Sequence, residues 1–293
     1  MAFEAFLNSN GWSVVKTLTV PSRARELCPV DDLPLGEKSR RFLARAYADG
    51  IYRHQKEALL RYLAGQDVCL TTGTASGKSL AFQVAALHEL ARDPEARILA
   101  IYPMKALGRE QEDRWQAALE RAGLPLRVGR IDGNIPVNAR LGILRQSSII
   151  VCTPDILHAW FMFSLSERDV RRFLSKVALI VVDEVHVYTG VFGSNSAFLF
   201  RRLQHVMSLL GRSPRYVAAS ATIADPAGHL KKLIGVEFSL VGADFDSSPR
   251  HPITIHLVNP PARQDFLTEI VALLQHLTHD RASRFIAFAD SRK

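Results

Sequence analysis

A run of small and hydroxyl-bearing residues, Thr72-Gly73-Thr74-Ala75-Ser76-Gly77-Lys78-Ser79, separates an apolar stretch at 67–71 from the helix-like pattern Leu80-Ala81-Phe82-Gln83-Val84-Ala85-Ala86. Strand, small-residue loop and helix in that order let backbone N–H groups and a helix N-terminus converge on an anion. The same order is the first half of a strand–helix–strand unit, and it points to a parallel sheet. Gly77 lets the backbone approach phosphates, Lys78 is placed to reach their outer oxygens, and the Ser79 hydroxyl is placed to ligate Mg²⁺. Thr72 departs from the strict pattern, which has Gly at that position. The alternative is a chance glycine-rich turn, and the flanking strand and helix argue against it.

The remaining chain repeats the alternation. Nearly continuous apolar runs at 97–102, 148–152, 178–183 and 216–220 suit strands covered on both faces, and helical spacing marks 80–91 and 104–122. The expected class is α/β, with a mostly parallel sheet covered by helices on both faces. Cys69 and Cys152 fall inside strands and read as core. Together with Cys28 they are the only 3 cysteines, too far apart for a disulfide framework or a zinc cluster. The start lacks the basic flank of a signal peptide, and no apolar run reaches the roughly 18 residues of a membrane helix. A soluble protein of a reducing cytoplasm, without a membrane partner, is expected. Lys and Arg total 37 against 29 Asp and Glu, so the net charge of +8 favours a polyanionic partner.

A second feature complements the loop. The apolar run Leu179-Ile180-Val181-Val182 ends abruptly in Asp183-Glu184-Val185-His186. Carboxylates at the end of a buried strand need compensation, and Mg²⁺ arriving with a nucleotide supplies it. Asp183 would hold the ion, and Glu184, aimed differently, can accept a proton from the attacking water. Alone, an Asp-Glu pair is more often a solvated turn; paired with the upstream loop it points to nucleotide binding with Mg²⁺.

With Ser220-Ala221-Thr222 further along, these segments resemble the superfamily 2 DEAD/DEAH-box-type helicases, and the resemblance implies a RecA-like P-loop fold. Gln55 resembles the upstream glutamine that reads the adenine edge; the alternative is an exposed polar residue on an amphipathic helix. Tyr102-Pro103-Met104-Lys105, Asp132-Gly133-Asn134 and Thr153-Pro154-Asp155 resemble the segments that contact the nucleic-acid backbone. Thr153-Pro154 also matches a helix N-cap followed by proline at the first helical position, and one helix terminus can serve both roles. Ser220 and Thr222 resemble the motif that couples hydrolysis to movement, with His186 as its neighbour, although His186 could instead bond to backbone and close the turn. The wording Gly190-Val191-Phe192-Gly193-Ser194-Asn195, and Asn259-Pro260-Pro261 later, is similar to the MrfA/YprA-like DNA-repair helicases.

The resemblance implies a first RecA-like domain at 51–241, after an N-terminal segment at 1–50 packed on it. A linker at 242–263 and the beginning of a second RecA-like domain at 264–293 would follow, with a helix at 264–277 and a strand at 284–289. The missing part of that lobe would carry arginine fingers, worth on the order of 10³–10⁵ in rate where measured. A truncated gene product, a split subunit completed by another chain, and an excised fragment all remain open. The expected function is an ATP-binding motor domain acting on nucleic acid, DNA more than RNA, weakly active alone. A non-catalytic nucleotide- or nucleic-acid-binding module that needs a partner lobe is the rival. A metabolite kinase is disfavoured, because it has no use for the later motifs.

Overall fold

The structure, a computed structural model, describes residues 2–104, 108–221, 223–261, 265–279 and 286. The chain opens with α1 (Ala2–Ser9), β1 (Ser13–Val20), β2 (Leu27–Cys28), α2 (Glu37–Ala46), β3 (Ile51–Tyr52) and α3 (Arg53–Leu63). Alternation then runs through β4 (Val68–Leu70), α4 (Ser79–Arg92), β5 (Arg97–Ile101), α5 (Gly108–Ala122), β6 (Val128–Ile131), α6 (Val137–Gln146), β7 (Ile149–Cys152) and α7 (Pro154–Ile156), which continues as a π-helical turn over Leu157–Phe161. After α8 (Arg168–Leu174) come β8 (Val177–Val182), α9 (Gly190–Leu209), β9 (Arg215–Ala219), α10 (Pro226–Leu233), β10 (Ser239–Val241), β11 (Ile253–Asn259) and α11 (Phe266–His279).

Contacts divide the chain into two units, residues 24–249 and residues 1–23 with 250–293. The larger unit is built on a seven-stranded sheet of order β10-β4-β9-β8-β5-β7-β6 with every pairing parallel. Successive residues point to opposite faces, so the sheet divides its own core. Val68, Leu70, Ala100, Val151, Val181 and Ala219 face one layer, packed with Phe42, Leu59, Phe82, Leu87 and Leu119 from α2 to α5. Cys69, Leu99, Ile150, Ile180, Val182 and Ala218 face the other, with Leu144, Phe173, Phe200, Leu203 and Leu230 from the later helices. The fold is therefore the expected α/β class with helices on both faces. Trp115 is core, its Nε1–H donating to the Tyr102 hydroxyl at 3.1 Å.

Register positions the site. Leu70 pairs with Ala219, Val182 with Ala218, and Ile101 with both Val182 and Cys152. The loops that follow β4, β9, β8, β5 and β7 therefore leave the sheet along a single edge. These are the segments beginning at Thr71, Ser220, Asp183, Tyr102 and Thr153.

In the smaller unit β1 and β11 form an antiparallel ladder, with a Thr17 to His256 side-chain contact of 3.0 Å. Leu7 and Trp12 are buried there, and the Phe6 and His276 rings stack at 4.0 Å. β11 lies within the stretch that sequence marks as linker. The strand expected at 284–289 falls outside the described residues apart from Ile286. Among the described residues no helix is long and apolar enough to cross a membrane.

Candidate nucleotide site

β4 is wholly buried and hands directly to the loop Thr72 to Ser79, which enters α4. α4 buries Leu80, Ala81, Phe82, Val84, Ala85, Ala86, Leu87 and Leu90, which fixes its N-terminal end against the sheet edge. Ala75 (φ 58) and Gly77 (φ 79) adopt left-handed backbone, and alternating handedness turns successive N–H groups inward. The positive φ at Gly77 favours glycine, and a Cβ there would stand 2.7 Å from Gln55 Nε2, displacing the end of that side chain. The departure at Thr72 has a structural use: its buried hydroxyl meets Ser76 Oγ at 2.8 Å across the loop. Lys78 Nζ donates to the Thr72 carbonyl (3.1 Å) and the Gly73 carbonyl (2.8 Å). Burial pushes its ammonium below the ordinary value, opposed by the charges of Glu184 and Asp183.

Asp183 extends β8 by one bond, its N–H donating to Ile101 O at 3.1 Å, and its Oδ1 accepts the Glu184 N–H at 2.8 Å. Burial raises the Asp183 carboxyl to about 6; the neighbouring Glu184 charge adds to the rise, and the Glu184 N–H and Lys78 oppose it. Asp183 follows the end of β8 and Ser79 heads α4 at the same edge of the sheet, and a carboxylate and a hydroxyl are oxygen donors of the kind a hard divalent cation takes, so the residues present fit Mg²⁺. Glu184 is itself left-handed (φ 50). Among the described residues Ala75 and Glu184 alone are non-glycine with positive φ, each costing on the order of 1–3 kcal/mol. Backbone strain is thus concentrated in the two loops of this site.

The third loop touches the second. The Ala221 N–H donates to His186 Nδ1 at 3.1 Å, so that nitrogen carries no proton and the ring proton sits on Nε2. Glu184 Oε2 lies 3.4 Å from the same nitrogen. Ser220 is fully buried, its N–H bonded to Leu70 O at 2.9 Å, and among the described residues its hydroxyl has no hydrogen-bond partner. Thr222 lies outside the described residues.

Gln55 is buried, not exposed on its helix. Its Oε1 accepts the Tyr52 N–H and its Nε2 donates to Gly77 O, both at 2.8 Å, so it closes the start of α3 and supports the loop. Thr153 occupies the N-cap position ahead of Pro154, but among the described residues its buried hydroxyl makes no capping bond and no other hydrogen bond. Asp155 and Gly133 are exposed, Pro103 is half-buried, and Lys105 lies outside the described residues. Asp132 is buried and bonded to Arg130 and to the Asn134 N–H. Two residues beside the loop carry no local sequence signal. His54 stands there as a lone histidine, and Asp246 arrives from almost two hundred residues further along the chain.

A loop with inward N–H groups, a lysine and a half-buried aspartate on one edge of a parallel sheet define a P-loop nucleotide-binding protein of RecA-like architecture. Residues 52–229 match the DEAD/DEAH box helicase family model, and the chain belongs to that family. It is similar to ATP-dependent helicase hrq1 of Schizosaccharomyces pombe, 34% identical over 215 residues, covering 72% of this chain and 20% of that protein. The Bacillus subtilis protein described as uncharacterized ATP-dependent helicase YprA is 29% identical over 263 residues, 88% of this chain and 35% of its own. The crystal structure of DUF1998 helicase MrfA bound to DNA and AMPPNP superposes with a TM-score of 0.84 at 26% identity, covering 94% of this chain and 38% of that one. The chain therefore spans between a fifth and two fifths of the length of these proteins.

Proposed function

We propose that this chain is the ATP-binding motor domain of an ATP-dependent helicase or translocase acting on nucleic acid, DNA in preference to RNA. The observation that carries the reading is the bond between His186 and Ala221, which joins the acidic loop to the Ser220 segment. A nucleotide kinase would need the phosphate loop and the acid; it would not need a third loop wired to them. The relatives described as ATP-dependent helicases, and the MrfA structure with DNA, support the same reading.

In the mechanism, loop N–H groups from Thr72 to Lys78 receive the phosphates, and Lys78 exchanges its two carbonyl partners for a β- or γ-phosphate oxygen. Ser79 and Asp183 would hold Mg²⁺, which when bound neutralises charge on the phosphates. Glu184 accepts the proton of the attacking water. His186 passes the state of that loop to Ser220 through Ala221. Gln55 holds the Gly77 carbonyl and keeps one N–H and one lone pair for the base. Pro103, Lys105, Gly133, Thr153, Pro154 and Asp155 form the track for the strand.

The test is nucleotide affinity. Lys78→Ala is expected to abolish binding of ATP with Mg²⁺ while leaving the folded state intact by circular dichroism. Unaltered affinity would remove the phosphate assignment.

A further inference from the structure

The N-terminal turn of α3 is bonded on two sides. Toward the phosphate loop, the Ser76 carbonyl can only accept, so His54 Nε2 donates to it at 2.9 Å, and Gln55 holds the next carbonyl, that of Gly77. On the other side, Ser247 Oγ accepts the Arg53 N–H and donates to Glu26 O, both at 2.8 Å. Arg53 sets its guanidinium over the Phe245 ring and donates to Asp244 O at 3.1 Å. Asp246 stands behind the ring: its Oδ1 lies 3.6 Å from His54 Nδ1, beyond hydrogen-bond range, and accepts from Ser248 N (3.0 Å) and Ser248 Oγ (2.7 Å). Its Oδ2 would stand 3.7 Å from a Cβ on Gly73. His54 is fully buried, and the Asp246 side chain is 7% exposed.

A backbone anion cradle presents its N–H groups inward only while the intervening carbonyls are held outward. Here two successive carbonyls ahead of Lys78 are held by side chains of α3, and α3 is in turn held by residues 244–247. We infer that His54 and Asp246, with Ser247, are positioning residues for a nucleoside triphosphate, fixing the shape of the phosphate loop from behind. The inference rests on the nucleotide reading above. It gives a binding role to His54, next to the marked Gln55, and to Asp246 and Ser247, which sequence reads only as part of a linker and which lie in the last stretch of the larger unit.

The test titrates a fluorescent, non-hydrolysable ATP analogue with Mg²⁺ into the full chain and into His54→Ala, His54→Gln, Asp246→Ala and Lys78→Ala. Thermal midpoints and hydrogen exchange of residues 73–78 are read without nucleotide. His54→Ala and Asp246→Ala should weaken binding by about ten- to a hundredfold, the scale of an ångström-level misplacement. His54→Gln, whose amide can still donate to the Ser76 carbonyl, should recover much of that loss, and exchange at 73–78 should quicken in Asp246→Ala. If His54→Ala does not fold, Ser247→Ala carries the expectation at about fivefold, one hydrogen bond's worth. Wild-type affinity in the alanine variants, with Lys78→Ala unable to bind, overturns the brace and leaves the nucleotide reading standing. Absence of binding by the unaltered chain overturns both.

Discussion

His186 Nδ1 accepts the backbone N–H of Ala221 at 3.1 Å, which joins the loop after β8 to the loop after β9 by one directed bond. A side chain that accepts from its neighbour's backbone reports displacement of either loop to the other. On the function proposed above, phosphate chemistry at Glu184, two residues earlier, would reach Ser220 through this bond.

His186→Ala is expected to leave affinity for ATP with Mg²⁺ nearly unchanged and to cost about 1 kcal/mol of stability, the net value of one hydrogen bond. For a domain of this size that lowers the thermal midpoint by roughly 2–4 °C. Stimulation of ATP hydrolysis by nucleic acid, measured in the full-length protein, should fall far more than basal hydrolysis.

Asp183→Asn should stabilise the nucleotide-free protein while destroying Mg²⁺-dependent nucleotide binding. Burial raises the carboxyl from 3.8 to about 6, so the folded state holds the proton more tightly than the unfolded one. Stability is therefore greatest below the unfolded value and falls as pH rises through that window, by about 3 kcal/mol at most. Urea unfolding at pH 5 and pH 7.5 should show the asparagine variant gaining most at the higher pH. An equal difference at both values would disprove the assignment.

Ser220→Ala removes a buried hydroxyl that has no hydrogen-bond partner among the described residues. It should be neutral or stabilising by about 1 kcal/mol, because an unsatisfied buried polar group is a penalty. Loss of stability on calorimetry would mean that the hydroxyl has a partner. Coupling of hydrolysis to nucleic acid should drop in the same variant.

Binding of DNA should weaken steeply with salt, because each phosphate neutralised contributes about −0.9 to the slope of log affinity against log salt. Fluorescence anisotropy across a salt series reads the slope directly, and a flat response would exclude backbone contacts as the source of affinity.

The strands β4, β5, β7, β8 and β9 were legible as unbroken apolar runs because both faces of a parallel sheet are buried. β6 escaped because Arg130 and Gly129 interrupt it, and β10 because three residues carry no period. Asn259-Pro260-Pro261 read as a breaker, and local punctuation concealed that β11 just before it finds a partner in β1, more than two hundred residues earlier.

Sequence by itself determined the chemistry of the site: a loop able to turn its N–H groups inward, a lysine, and an acid pair at the end of a buried strand are local patterns, fixed within eight residues of chain. Tertiary structure alone decided their support. That Gln55 and His54 hold the loop carbonyls, that Asp246 stands behind His54, and that His186 meets Ala221 all depend on long-range contacts between distant segments, and no local pattern encodes which partner a buried polar group will find.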